Sequence, residues 1–323
     1  MITVVIPTIG RPSLAATLAA LEPSLPVIVV DDRPDRQARE ALAVPGHVTV
    51  VRSGGLGPAA ARNAGWRAAR TPWVAFLDDD VVPEPGWAEA LEKDLTDLPA
   101  DVAGSQGRLV VPLPEGRRPT DAERNTAGLA EALWPTADMA YRRSALEDVG
   151  GFDERFPRAY REDADLALRV GRAGHRLVVG RRRTVHPVRD DGFWASVRLQ
   201  RGNADDALMR RLHGPAWRQA IGGAPGRLRL HAVTTAAAAA AVLAVGVSAV
   251  LAGAGDRRGA RRALSAAASA AGLWAGLTAE FAWRRVAPGP RTPGEVLRMA
   301  VTSVAIPPVA CAHRLRGEWR VRR

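Results

Sequence analysis

The stretch Trp73-Val74-Ala75-Phe76-Leu77-Asp78-Asp79-Asp80 decides the fold and the place of its polar site. Its five apolar residues predict a buried strand, and three carboxylates follow directly at the carboxyl end of that strand. In an open parallel sheet, ligands bind outside the carboxyl ends of the strands. Because alternate residues of an extended segment project to the same side, Asp78 and Asp80 can offer two hard oxygen ligands to one divalent cation. The stretch therefore favours a strand that ends at a metal site over a solvated acidic turn.

The first 200 residues alternate short β-branched runs with helical patterns, which indicates βαβ units and an α/β domain with a mostly parallel sheet. Runs at 2–6, 27–30 and 48–51 predict three further strands, and Leu14, Leu18 and Leu21 have the spacing of one buried helix face. The remaining expectations are a strand over 104–111, a polar loop over 112–120, helices over 144–148 and 164–170, and short edge strands over 177–179 and 184–188.

The net charge of +11 arises almost entirely from arginine, because Lys93 is the only lysine. Arg, Ala, Gly and Pro are abundant together, which is typical of a GC-rich genome, so the charge alone does not indicate a polyanionic partner. A nucleic-acid-binding protein would not place Asp31, Asp32 and Asp78 along one sheet edge, since each carboxylate repels phosphate unless a metal intervenes. We therefore expect no nucleic-acid partner.

Two features concern the cellular compartment. The single cysteine, Cys311, permits no internal disulfide, which is typical of a protein from a reducing compartment. The first residues lack a basic region and a cleavage site, so no signal peptide is expected.

A glycine-rich segment over 54–65 follows the third predicted strand and opens a helix. Its backbone amides and Arg62 can face an anion at a helix N-terminus. The segment also matches G-x-G-x-x-A loosely, which leaves a dinucleotide oxidoreductase as an alternative. That fingerprint belongs after the first strand, however, and the distant acidic group is three carboxylates rather than one. The oxidoreductase is therefore the weaker hypothesis.

Several motifs, in order along the chain, resemble those of family 2 glycosyltransferases. This resemblance implies a GT-A fold, which is a Rossmann-like α/β/α domain that binds a nucleotide sugar, and transfer of the sugar to an acceptor with inversion. The motifs are Val4-Val5-Ile6-Pro7-Thr8, Val30-Asp31-Asp32, Gly57 to Asn63, Phe76-Leu77-Asp78-Asp79-Asp80 with Pro83, Asp138 to Arg143 with Gly150 to Glu154, and Glu162-Asp163.

The resemblance implies a set of residues that bind the nucleotide-sugar donor. Pro7 and Thr8 would line the nucleotide pocket, and Asp32 would accept hydrogen bonds from the base. Arg62 would contact the nucleotide or its phosphates, and Asp79 would lie beside the donor with its two neighbours.

The resemblance also implies the metal ligands and the base. Asp78 and Asp80 match the outer positions of a D-x-D motif, and His186 matches a ligand that some members supply to Mn²⁺ or Mg²⁺. Asp163, with Glu162 beside it, matches the base that removes the acceptor's proton. Alternatively, His186 is a packed residue, and the two acids merely stabilise the first turn of a helix.

Trp134 and Asp138 lie where the family shapes the acceptor pocket. Tryptophan rings commonly stack on sugar faces, although most of the nine tryptophans must belong to the core. The Gln-x-x-Arg-Trp motif of processive members is absent around Gln200. The resemblance therefore implies addition of a single sugar.

Past residue 230 the sequence is rich in alanine. We assign 1–215 to the catalytic domain and 216–323 to an Ala-rich helical region. The run over 232–255 carries no charge, and at about 1.5 Å per residue it can cross a hydrocarbon core of about 30 Å. Uncharged runs over 263–279 and 299–312 are weaker, and Pro307-Pro308 is expected to break the second of these.

Arginine clusters bracket these runs, which favours membrane association over a soluble helical hairpin. We expect a C-terminal anchor at the cytoplasmic face of the cell membrane, where a lipid-linked or glycan acceptor of the cell envelope would be presented. Four arginines over 257–262 would then lie outside, against the positive-inside tendency, unless the helices lie in the interface. A membrane-surface or nucleic-acid-binding protein with an inactive transferase-like domain is the alternative function.

Overall fold

The computed structural model describes residues 2–38, 40–189 and 191–322, which form two compact units. Unit 1 runs to Leu113 and includes Asn125–Arg189 and His213–Gly223. Unit 2 consists of Pro114–Arg124, 191–212 and 224–322. The composition predicts one boundary at 215–216, whereas the chain first enters unit 2 at Pro114.

Unit 1 is built on one sheet, which has eight strands within the described residues. The strands are β1 (Ile2–Thr8), β2 (Val27–Asp31), β3 (Thr49–Arg52), β4 (Trp73–Leu77), β5 (Val82–Pro83), β6 (Val102–Val110), β7 (Asp138–Arg142) and β8 (Arg176–Val185), in the spatial order β3-β2-β1-β4-β7-β6-β8-β5. Strands β3, β2, β1 and β4 are mutually parallel, and β6 is parallel to β8. Strand β7 is antiparallel to β4 and β6, and β5 is antiparallel to β8.

The helices of the described chain follow the strands as crossovers or form the C-terminal part. They are α1 (Leu14–Ala19), α2 (Pro58–Ala68), α3 (Trp87–Leu95), α4 (Asp121–Ala127), α5 (Arg143–Val149), α6 (Glu162–Arg172), α7 (Ala195–Arg198), α8 (Gly202–His213), α9 (Trp217–Ala220), α10 (Leu228–Gly253), α11 (Arg257–Val286) and α12 (Pro293–Arg322), with 3-10 turns at Gly128–Glu131 and Leu199–Arg201.

Alternation along the strands creates two apolar layers in unit 1. Ile6 and Leu77 face a cluster that includes residues of α1 and α3, whereas Val5 and Phe76 face a cluster formed with α2, α5 and α6. Because β1, β2 and β4 bury both faces, their sequences read as nearly continuous apolar runs. The result is the predicted three-layer α/β/α fold of GT-A type, with the first four strands where the sequence places them.

Strand β8 differs from the prediction of two short edge strands over 177–179 and 184–188, which is wrong. It is one strand of 10 residues, and it lies between β6 and β5. Three arginines at 181–183 interrupt the apolar pattern, but the Arg182 side chain is buried and paired with Asp94 and Asp138. The apolar pattern alone predicts two strands here. The chain stays extended through the arginines because the buried Arg182 is neutralised by its ion pairs.

Unit 2 contains the long helices α10, α11 and α12. Helices α10 and α11 pack antiparallel, with Arg227 at the start of α10 paired to Glu280 near the end of α11. Helix α12 continues through Pro307 and Pro308, so the predicted break is wrong. Met299, Ile306 and Ala310 on the same helix are buried, and this packing holds the backbone helical on both sides of the prolines.

Two helices of the described chain are long and apolar enough to cross a membrane. They are Leu228–Gly253, with a mean hydropathy of 2.2 in its most apolar window, and Pro293–Arg322, with 1.4. The run over 263–279 lies in α11, which is not apolar enough to be a candidate for crossing a membrane. By length and composition, these two helices are a weak indication of membrane association.

Gly65 allows α2 to approach the sheet closely. A Cβ atom at this position would lie 2.3 Å from Cγ1 of Val5 and 3.0 Å from Cγ2 of Val30. Gly171 in α6 provides a matched helical position, because a Cβ atom there would meet nothing within 4 Å.

We expect Gly65→Ala to lower the free energy of unfolding by about 1–3 kcal/mol through overpacking. Gly171→Ala should leave it unchanged or raise it by up to about 1 kcal/mol, because alanine favours the helix. Urea denaturation followed by circular dichroism measures both values. Equal stability of the two variants would contradict the close approach.

Candidate active site

The carboxyl ends of β1, β2 and β4 bring the predicted donor residues to one edge of unit 1. Thr8 ends β1 and lies opposite Asp31, the last residue of β2. Pro7 precedes Thr8 in the same strand and lies opposite Val30. Asp78 follows β4 directly, so the sheet itself gathers residues that lie far apart in the sequence.

Asp79 is buried and belongs to a small hydrogen-bonded group. The Thr8 hydroxyl donates to its Oδ2 at 2.6 Å, and Arg11 donates to its Oδ1 at 2.9 Å. The backbone amide of Gly10 donates in turn to the Thr8 hydroxyl at 3.0 Å. Asp79 therefore holds the loop after β1 against the loop after β4, and its oxygens are already occupied.

The two acids after β2 have different partners. Asp31 accepts two hydrogen bonds from the Arg33 guanidinium, and these bonds hold the pKa of Asp31 below its usual value. Asp32 accepts from the Ser53 hydroxyl at 2.7 Å and from the backbone amide of Gly57 at 3.0 Å. Asp32 thus joins the end of β2 to the glycine-rich segment that precedes α2.

Arg62 on α2 connects the two acidic motifs. Its side chain is only 2% exposed, and it donates to Asp78 at 2.8 Å and to Glu162 at 2.7 Å. Asp78 remains partly exposed, with 29% of its side chain accessible. The structure therefore brings the segment after β4 and the start of α6 to opposite ends of one guanidinium.

Glu162 and Asp163 form the first turn of α6, directly after Arg161, which has a left-handed backbone with φ of 78°. Burial raises the pKa of Glu162 to about 8, although Arg62 opposes the shift. Burial likewise raises the pKa of Asp163, against a 2.7 Å hydrogen bond that its Oδ1 accepts from the amide of Ala164. Two adjacent carboxyls whose pKa values are both raised by burial titrate as a pair.

Asn63 connects the helix that carries Arg62 to the glycine-rich turn before α6. Its side chain donates to the carbonyl of Phe152 and accepts from the amide of the same residue, each at 2.9 Å. It also donates to Glu154 at 2.8 Å. The Ala-Arg-Asn motif of α2 is therefore hydrogen-bonded directly to the Gly-Gly-Phe-Asp-Glu motif.

Asp80 lies beside His186, which follows β8. Asp80 Oδ1 and His186 Nε2 are 3.9 Å apart, and His186 Nδ1 lies 3.1 Å from the carbonyl of Pro187. That contact suits a proton on Nδ1 and leaves Nε2 as an acceptor. Burial, followed by the charge of Asp78, raises the pKa of Asp80, while Arg189 lies 3.0 Å from its Oδ2.

These donors suit a divalent cation that takes its other ligands from a bound molecule. No group of three His, Cys, Asp or Glu side chains surrounds a single point in the part of the chain that the structure describes. A carboxylate and an imidazole are nevertheless chemically suitable ligands, and Mg²⁺ commonly combines one or two carboxylates with phosphate oxygens. A cation bound to Asp80 would replace Arg189 as the partner of that carboxylate.

The two predicted acceptor residues differ in accessibility. Trp134 is partly exposed, with φ of 65°, and its amide donates to the Gln106 side chain at 2.7 Å. Asp138 is fully buried and accepts hydrogen bonds from Arg182 at 2.7 Å, Trp87 at 2.8 Å and Thr184 at 2.6 Å. The structure thus places Trp134 at the surface but does not bring Asp138 to the site, so the acceptor role of Asp138 stays a prediction.

Sequence reasoning missed Arg11 and Arg189, which pair with the acids after β4, and Asn63 as a structural connection. Arg11 follows the turn after β1, and Arg189 follows the predicted ligand His186, so their positions after strands could have identified them. The partners of Asn63 lie about 90 residues away along the chain, at separations of 89 and 91. No local pattern predicts that contact.

The profile of the family described as glycosyl transferase family 2 matches residues 3–164, half of the chain, and covers the acids, Arg62 and Asn63. The chain belongs to glycosyl transferase family 2. The dinucleotide oxidoreductase alternative is thereby wrong, because the glycine-rich segment follows β3 and belongs to the glycosyltransferase motifs.

The chain is similar to a protein of Mycobacterium tuberculosis named pre-mycofactocin glycosyltransferase, with 35% identity over 193 residues. The match covers 54% of this chain and 40% of the relative, so the chain spans less than half of that protein. Among solved structures, glucosyl-3-phosphoglycerate synthase from Mycobacterium tuberculosis has 17% identity and a TM-score of 0.41, over 70% of this chain and 82% of that one. The structure of GalNAc-T7 with UDP, GalNAc and Mn²⁺ has 14% identity and a TM-score of 0.46. The match covers 69% of this chain and 54% of that one.

We expect Asp138→Ala to lower the free energy of unfolding by about 3–5 kcal/mol, because it removes one of the two carboxylates paired with the buried Arg182 and leaves Trp87 and Thr184 without an acceptor. Asp148, which is mostly exposed beside His175, is the matched control. Asp148→Ala should cost less than about 1 kcal/mol. Guanidinium denaturation measures both, and an Asp138→Ala protein as stable as the wild type would contradict a structural role.

Proposed function

We propose that this protein transfers a single sugar, with inversion, from a UDP- or dTDP-linked donor to an acceptor hydroxyl. The observation that carries this proposal is the pair of contacts made by Arg62. They bring Asp78, in the segment that would bind the donor, close to Glu162 and Asp163, which would act on the acceptor. A site with both parts supports transfer over binding alone, and therefore disfavours an inactive transferase-like domain.

The donor would lie along the carboxyl ends of β1, β2 and β4. Asp32 would accept from the N–H of the base, beside Pro7 and Thr8. The partly exposed Asp78 would contact the ribose. Arg62 lies behind Asp78 and would act on the phosphates only if its present ion pairs rearranged, so its main part in donor binding is to orient Asp78.

Asp80 and His186 would hold Mn²⁺ or Mg²⁺ together with oxygens of the diphosphate. The ion would neutralise negative charge on the leaving diphosphate. Burial, followed by the charge of Asp78, raises the pKa of Asp80, and this supports the assignment because a bound cation would stabilise the charged carboxylate. His186 Nε2 lies 3.9 Å from Asp80 Oδ1, so one ion would contact both atoms.

Asp163 would remove the proton of the acceptor hydroxyl as that oxygen attacks the sugar. An inverting displacement requires the base on the side of the sugar opposite the leaving group. Glu162 is engaged by Arg62, so Asp163 is the carboxylate of the pair whose oxygens have no salt bridge in the described residues. Its raised pKa makes it a stronger base than an exposed aspartate.

Two conservative substitutions separate donor binding from catalysis. Asp80→Asn should weaken or abolish Mn²⁺-dependent donor binding, because it removes a charged ligand. Asp163→Asn should leave donor binding intact and lower turnover by about 100-fold or more, because it removes the proton acceptor. Calorimetry with UDP- and dTDP-sugars, with and without Mn²⁺, measures the first effect, and product formation measures the second.

Each variant is the control for the other, and Asp148→Asn at an exposed site is the control for both. Unchanged metal-dependent affinity in Asp80→Asn would overturn the metal site. Turnover close to the wild-type value in Asp163→Asn would show that Asp163 is not the base and only stabilises the first turn of α6. The anomeric configuration of the product, read by NMR, tests inversion independently, and a retained configuration would contradict this mechanism.

The acceptor would be presented at the cytoplasmic face of a membrane and would be lipid-linked or part of a cell-envelope glycan. The support is that α10 is long, apolar and only 6% buried over its most apolar window. A donor made in the cytosol requires the active site to face that side. Since the similar protein of Mycobacterium tuberculosis is named for pre-mycofactocin, that compound is the second acceptor to test.

We expect the full-length protein to sediment with membranes and to resist extraction by salt. Val242→Arg, in the exposed face of α10, should shift it toward the soluble fraction, because an arginine near the centre of a span costs about 2.5–3.5 kcal/mol. Val179→Arg, at an exposed position of β8, is the matched control. A wild-type protein found wholly in the soluble fraction at low salt would exclude the anchor, and release by alkali alone would indicate surface binding.

A further inference from the structure

A basic cavity of about 490 Å³ lies in unit 2, between α8 and the last turns of α12. Its lining consists of Ala207, Arg210, Arg211, Glu318, Val321 and Arg322. Nothing in the reaction proposed above uses these residues, and the cavity is large enough for a small-molecule headgroup.

Three arginines of this cavity have no acidic partner among the residues that the structure describes. The guanidinium groups of Arg210, Arg211 and Arg322 make no ion pair or hydrogen bond with any residue that the structure describes. The one acidic residue of the lining, Glu318, is already paired with Arg314 at 2.6 Å. Three free guanidinium groups around one concave space favour an anion, and phosphate suits their forked donors best.

Helix packing brings these arginines together. A Cβ atom at Gly317 of α12 would lie 2.5 Å from the backbone oxygen of Ala204 in α8. Only glycine permits this approach, so the two helices touch at their backbones next to the cavity. The close packing of α8 against α12 therefore fixes the distance between Arg210 and Arg211 on α8 and Arg322 on α12.

The same end of α12 exposes two large apolar side chains. Leu315 is 71% exposed and Trp319 is 56% exposed, and the spacing of four residues places them on one helix face. Exposed tryptophan beside arginine is typical of a helix at a membrane–water interface. A lipid would contact both the cavity and these exposed side chains, whereas a free phosphate ion would contact the cavity alone.

We propose that this cavity binds the phosphate of an anionic lipid headgroup, with Arg210, Arg211 and Arg322 as its ligands. Leu315 and Trp319 enter the surrounding interface. The proposal rests on the membrane association given above but not on glycosyl transfer. It adds a specific lipid contact to an anchor that otherwise depends on apolar length alone.

The test uses the full chain in a non-ionic detergent and soluble short-chain lipids. Calorimetry compares dihexanoylphosphatidylglycerol, dihexanoylphosphatidylcholine and inorganic phosphate. The wild-type protein should bind the anionic lipid at least about tenfold more tightly than either other probe, and R210Q/R211Q/R322Q should lose that preference. R36Q/R70Q/R181Q removes the same charge from exposed sites of unit 1 and should keep it.

Three results would overturn the proposal: no preference for the anionic lipid in the wild type, an unchanged preference in the cavity variant, or equal loss in the control variant. Inorganic phosphate bound as tightly as the lipid would show a free-anion site and would also overturn the lipid assignment. Donor binding and turnover on the same samples report separately on the proposed function. Failure of one proposal is thus distinguishable from failure of the other.

Discussion

The buried guanidinium of Arg62 is the interaction on which the active site depends. It lies between Asp78 and Glu162, which are 16 and 100 residues away along the chain. A buried charge without partners costs several kcal/mol, so loss of either carboxylate would weaken the compensation of the buried Arg62 charge. The end of β4 and the start of α6 are therefore held at a set separation, and the residues next to them share that constraint.

This constraint assigns different tasks to adjacent acids. In the segment after β4, Asp78 is held by Arg62 and Asp79 by Thr8 and Arg11. Asp80 lies between His186 and Arg189. At the start of α6, Glu162 is paired with Arg62, whereas Asp163 accepts a backbone hydrogen bond and has no salt bridge in the described part of the chain. Ion pairs thus hold Asp78, Asp79 and Glu162 in place, and the roles proposed for Asp80 and Asp163 depend on those fixed neighbours.

The sequence predicts the strands and the acids that follow them because both are local patterns. It could not predict the contacts of Asn63 or the burial of Asp138, which depend on residues far away along the chain. Burial of Arg182 in β8 and the helix through Pro307 and Pro308 were missed for the same reason. In each case, packing or ion pairing in the folded protein outweighs the local preference of the residue, such as that of arginine for solvent or of proline against a helix interior.

The most direct measurement of the Arg62 constraint is the free energy of unfolding of Arg62→Met, with and without Glu162→Gln. The single variant should lose about 3–5 kcal/mol, because Asp78 and Glu162 lose their shared cation and the buried Glu162 must either take up a proton or stay charged without a partner. The double variant should recover most of that loss, because the remaining group is neutral. A stable Arg62→Met protein, or a double variant no more stable than the single one, would contradict the account.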